Sequence, residues 1–140
     1  MPHQDKVKKL SRTKPHREAM LRNLATSLFE HRTVQTTEAR AKELRRVVDR
    51  LITTAKKDDL AARRRVARTI QNKQVHKKLF EEIVPQFKDR TSGFTRVLKV
   101  GYRRGDAASI SLVELLTAKP KVDKEEGKKA GRKKAAKQAK

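Results

Sequence analysis

The 140-residue chain contains no cysteine and no tryptophan. Without cysteine there are no disulfides, no thiolate zinc or iron–sulfur sites and no thiol nucleophile. Aromatics are scarce, with four Phe and one Tyr. That supply is too small for the stacking platforms of single-strand RNA readers, or for an aromatic face that inserts into lipid. No apolar run reaches membrane-spanning length, and the start MPHQDKVKKL lacks the apolar core of a secretory leader. A soluble, cytoplasmic protein is the expectation. Acid is the other scarcity. Sixteen Asp and Glu stand against 38 Lys and Arg, a formal net charge of +22. A chain that repels itself so strongly calls for a polyanion. Nucleic acid is the first candidate, an anionic membrane the second and an acidic protein surface the third.

Catalytic constellations are missing too. His16 and Glu18 have the H-x-E spacing of zinc deaminases, but those enzymes need cysteine ligands downstream. The two side chains would also point about 200° apart on a helix. The four His, at 3, 16, 31 and 76, show no metal-ligand spacing. No glycine-rich loop follows a strand, so no phosphate cradle is indicated. Asp58–Asp59 and Glu81–Glu82 are sequence neighbours suited to capping and solvation. The expectation is a protein that is not an enzyme, with no metal, no cofactor and no small-molecule substrate.

What is present is a body with helical and strand signals. A first helix can begin at Pro15, whose fixed φ suits a first turn. Met20, Leu21, Leu24, Ala25, Leu28 and Phe29 recur as one apolar stripe along it. The β-branched stretch RTVQTT after His31 predicts a short strand. Thr37 can cap a second helix running to about Lys56, with Glu38 in its first turn. Ala41, Leu44, Val48, Leu51, Ile52 and Ala55 form its inward stripe, and Lys42, Arg46 and Arg50 its outward line. Asp58 can cap a third helix to about Ile70, and Asn72 a fourth to about Pro85. Phe94–Arg104 and Ser109–Leu116 predict two strands joined through RGDAA, with Gly105 and Asp106 as turn residues. The order α-β-α-α-α-β-β makes an α+β domain. One small sheet, a strand near 33–37 plus the C-terminal hairpin, is covered on one face by about four helices.

Length allows one domain, assigned to residues 1–118 with a basic N-terminal arm. The Lys/Ala-rich segment 119–140 holds ten basic and three acidic side chains and almost nothing to bury. It is expected to be a disordered basic tail, because apolar burial cannot offset its ordering entropy.

The basic side chains form the candidate binding surface. Arg17 and Arg22 flank the stripe of the first helix. Lys42, Arg45, Arg46 and Arg50 line the second. Arg96, Lys99, Arg103 and Arg104 lie on the hairpin. Guanidinium groups suit phosphate through a planar fork. Any single Arg could be merely solvated, but a solvated face normally interleaves acids. The third helix, LAARRRVARTI, spreads its arginines around too wide an arc for one groove, and no helix-turn-helix partner is evident. Contacts to backbone and shape at many points are expected, as on a large folded RNA.

Three stretches, HREAMLRNLATSL, TTEARAKELRRVVDRLIT and GFTRVLKVGYRRGDAA, resemble the bacterial large-subunit ribosomal protein seventeen family. The resemblance runs from about His3 to Leu115. It adds His3, Arg12, Thr36 and Thr37 to an RNA-binding set in which the apolar stripe of the first helix already holds His16 and Asn23, with Arg17 and Arg22, toward the polyanion, and in which Arg40 is also placed. Pro2, Gln4 and Asp5 depart from the family's usually more basic start, and Phe94 stands where Tyr is common. The resemblance implies a non-catalytic structural constituent of the large subunit, one copy per subunit. It would bind large-subunit (23S) ribosomal RNA near the polypeptide exit and touch neighbouring ribosomal proteins. A nucleoid-type DNA-binding protein is the alternative, suggested by the Lys–Ala–Pro tail.

Overall fold

A computed structural model of the protein describes residues 8–117. His3, the 118/119 boundary and the segment 119–140 lie outside the described residues. The element order is α1 (Lys14–His31), β1 (Thr33–Thr37), α2 (Glu38–Ala55), α3 (Leu60–Ala67), α4 (Lys73–Lys78), β2 (Thr95–Tyr102) and β3 (Ser109–Leu115). A π turn over Leu79–Ile83 and a 3-10 turn over Val84–Phe87 extend α4. This is the expected α+β order.

Helix α1 accommodates Pro15 in its first turn, where the missing N–H would have had no intrahelical acceptor. It ends at Arg32, which takes the left-handed conformation (φ 65°) and donates its N–H to Leu28 O at 2.8 Å. A non-glycine residue there is costly. Its contacts hold it: Arg32 O accepts from Leu115 N at 2.9 Å, and the guanidinium pairs with Glu82 at 3.2 Å and donates to Thr117 Oγ1 at 3.4 Å. The reversal delivers the chain directly into β1.

The sheet has the order β1-β3-β2, with both pairings antiparallel. β2 and β3 form the expected hairpin, and β1 adds to the far edge of β3 with Val34 opposite Val113. Val97, Val113 and Val34 share the face covered by α1 and α2. The other face carries no helix among the described residues. Leu98 is 41% exposed there. A register shift between Lys99 and Gly101 marks a bulge, which bends the strand and increases its twist.

The core is built from the expected stripe of α2, all six residues buried. Around it pack Leu28 and Phe29 of α1, Val66 and Ile70, Val75, Leu79 and Ile83, and the edge-to-face pair Phe87–Phe94. The α1 stripe is only partly realised. Ala25, Leu28 and Phe29 are buried, but Met20, Leu21 and Leu24 are only partly covered. The helix projects past the core, so its first half lacks a complete partner among the described residues.

Two caps differ from expectation. Asp59, not Asp58, caps α3 by accepting from Ala62 N. Asp58 instead takes a positive φ (48°) and binds Arg63 at 2.8 Å. Thr37 occupies the cap of α2 without a side-chain bond. Glu38 holds that turn, accepting from Lys42 Nζ at 2.7 Å and Ser109 Oγ at 3.1 Å. Asn72 caps α4 as expected.

Candidate nucleic-acid interface

Because α2 buries one stripe, its opposite side is forced outward. Lys42, Arg45, Arg46 and Arg50 are all exposed there. The antiparallel hairpin places Lys99 over the same end of α2. Lys42, Arg45, Arg46 and Lys99 line one open cleft of about 540 Å³ together with Glu38, Asp49, Val97 and Ser111. Ser111 Oγ is fully buried there and has no hydrogen-bond partner among the described residues. Thr36, Thr37, Arg40 and Arg103 meet around an adjacent depression that also includes Tyr102 and Ile110. A third, lined by Lys8, Thr37, Glu38, Lys42 and Ser109, borders the first. Lys8 belongs to the basic N-terminal arm DKVKKLSRTK, and its approach to Thr37 and Lys42 brings the arm to this surface.

Acids interleave this surface, contrary to the sequence expectation. Lys42 pairs with Glu38 at 2.7 Å, Arg45 with Asp49 at 3.8 Å, and Arg46 with the buried Glu43 at 3.5 Å. Three or four residues separate the members of each pair, so the helical repeat makes them neighbours. The Lys42 hydrogen bond, with help from Ser109 and from the charges of Lys42 and Lys99, lowers the pKa of Glu38. Arg103 is committed as well: its fork grips Asp106 at 3.0 and 2.6 Å and closes the hairpin loop. That grip, with the N–H of Ala108, holds the Asp106 carboxyl down at about 2. Arg104, next in sequence, is exposed.

Other nominated residues lie elsewhere. Arg96 points to the helix-free face of the sheet and pairs with Glu114 at 3.3 Å. Arg12 and His16 contact each other at the start of α1. Arg22 pairs with Glu18 at 3.9 Å, while Arg17 and Asn23 make no side-chain bond among the described residues. The α1 set lines none of the three depressions. Among the described residues no group of three or more His, Asp or Glu could hold a metal ion.

A small antiparallel sheet under basic helices suits many proteins, so the comparison with known sequences decides. Residues 20–116 match the family described as Ribosomal protein L17. The chain belongs to the ribosomal protein L17 family. It is 50% identical over 116 residues to large ribosomal subunit protein bL17 of Syntrophotalea carbinolica, covering 83% of this chain and 75% of that one. It is 48% identical to the bL17 of Trichlorobacter lovleyi, covering 83% and 94%. The bL17 of Desulfitobacterium hafniense is 53% identical over 109 residues, covering 78% and 97%. L17 proteins are structural and non-enzymatic. Membership replaces the nucleoid-type alternative with a ribosomal role for this L17 chain.

Proposed function

We propose that this L17 protein is a structural constituent of the large ribosomal subunit in the cytoplasm, one copy per particle, binding 23S ribosomal RNA near the polypeptide exit. The relatives' names and the family match support the ribosomal role. The convergence of Lys42, Arg45 and Arg46 with Lys99 around one cleft supports the RNA contact, because residues more than fifty positions apart supply one basic lining. With each helix cation next to a carboxylate, the surface presents alternating charge. Such a surface orients a partner and fixes its register more than it adds raw attraction.

The test is assembly. Lys42→Glu plus Lys99→Glu removes two cations that lie on opposite sides of the cleft. The variant is expected to melt like wild type and to be under-represented in large subunits isolated on sucrose gradients. Wild-type occupancy of the subunit by a folded variant would refute the placement of the interface.

A further inference from the structure

The strongest positive charge of the described residues does not lie on the clefts. It lies at the corner between α2 and α4. Residues 56–78 hold nine Lys and Arg and two acids, Asp58 and Asp59. Both acids are committed locally: Asp59 caps α3 and Asp58 holds Arg63. Helix α3 buries only Ala62 and Val66. At 100° per residue, Arg64 and Arg68 then fall on the outward crest, with Arg63 and Arg65 on its flanks. All four are exposed, and neither Arg64 nor Arg68 makes a side-chain bond or ion pair among the described residues.

The rest of the corner is built around that crest. Arg63 is positioned over the Phe80 ring at 5.3 Å, and its carbonyl lies 3.4 Å from His76 Nε2. These contacts tie the start of α4, with exposed Lys73 and Lys77, to the flank of α3. Exposed Ala61 and Ala67 keep the surface low between the arginines. A rise of 1.5 Å per residue sets Arg64 and Arg68 about 6 Å apart along the axis. Like charges four residues apart disfavour the free helix by roughly 0.2–0.5 kcal/mol. A helix end gains from a cation or two, but that does not account for a cluster spanning two helices.

We propose that the α3–α4 corner, centred on Arg64 and Arg68, is a second RNA-binding surface that grips the phosphate backbone of double-helical ribosomal RNA. This rests on the RNA-binding reading of the clefts and deepens it. The clefts, with alternating charge, set orientation. The corner, where Arg64 and Arg68 face no acid among the described residues, supplies the counterion-release part of the affinity. The spread of arginines that rules out reading one groove is what a backbone grip needs, since phosphates lie on both sides of a helix laid across a duplex. A lipid surface is the poorer match, because Leu60 is the one large exposed apolar side chain of α3.

The experiment measures binding of the full chain to large-subunit ribosomal RNA and to an RNA duplex over a range of salt. Arg64→Gln plus Arg68→Gln is compared with a charge-matched control, Lys14→Gln plus Lys88→Gln, two exposed residues outside α3 and α4. The corner variant is expected to flatten the slope of log K against log salt by about 1.8, two phosphates at about 0.9 each. The control is expected to change it far less. If the double variant melts early, Arg64→Gln alone carries the test, with a change of about 0.9. A folded corner variant with the wild-type slope, or a control that flattens it equally, overturns the proposal and leaves the cleft reading standing. Loss of binding to phosphatidylserine vesicles with RNA binding intact also overturns it. Wild-type protein that fails to bind large-subunit RNA overturns both.

Discussion

Leu24 and Leu28 lie one turn apart on α1 and differ in what surrounds them, so the same truncation is expected to cost different amounts. Leu28 is fully buried in the core, whereas Leu24 is partly covered at its margin. Leu→Ala removes three carbons, a transfer loss of about 2.4 kcal/mol at roughly 0.8 kcal/mol per methylene. At Leu28 the tight packing of α1 against α2 cannot fully collapse, so a cavity term brings the cost to about 3–4 kcal/mol. At Leu24 water fills the space and only part of the area is lost, giving about 1 kcal/mol. Against a total stability of about 5–15 kcal/mol, the first is a large fraction and the second a small one. For a domain near this size the Leu28→Ala melting point is expected to fall by about 12 °C. Urea unfolding of both variants, with unchanged m-values, measures the difference. Equal costs at the two sites would refute the reasoning. They would mean that the first half of α1 is packed as deeply as the second.

Arg17→Glu plus Arg22→Glu is expected to melt within a degree or two of wild type, since the exposed Arg22–Glu18 pair contributes less than ~1 kcal/mol. Its binding to large-subunit RNA is expected to weaken clearly at moderate salt, as attraction to phosphate becomes repulsion; wild-type binding would place α1 outside the interface. At the hairpin, Asp106 has its carboxyl depressed to about 2 by Arg103. A depressed carboxyl contributes stability above its ordinary pKa of 3.8 and loses it as pH falls through about 2. In Arg103→Gln the Asp106 midpoint, followed by carbon NMR, is expected to return toward the ordinary value; an unmoved midpoint would show that the ion pair is not the cause.

The elements were legible because each carried a local signature. The α2 stripe, Asn72 before α4, and the Gly105–Asp106 turn of the hairpin all reappear where the periodicity and turn chemistry place them. The misses were local ambiguities. Asp58 and Asp59 are equivalent as letters, and only the backbone at Asp58, turned to positive φ, makes Asp59 the cap. The apolar run Met20–Leu24 has a helical repeat, but a repeat gives direction and not the distance to a partner.

By itself the sequence determined the charge, the absence of cysteine chemistry, the element order, the buried face of α2 and, through its motifs, the L17 family. These depend on composition and on contacts within a few residues. Only the tertiary structure decided that β1 pairs with β3, that Lys99 faces Lys42 across a cleft, and that Arg96 lies on the other side of the sheet. It also decided which cations are already paired and which are not. Lys42 and Arg64 are both cations in the sequence, but one lies 2.7 Å from a carboxylate and the other pairs with none among the described residues. Electrostatic potential is a sum over distances in space, and the folded chain sets those distances.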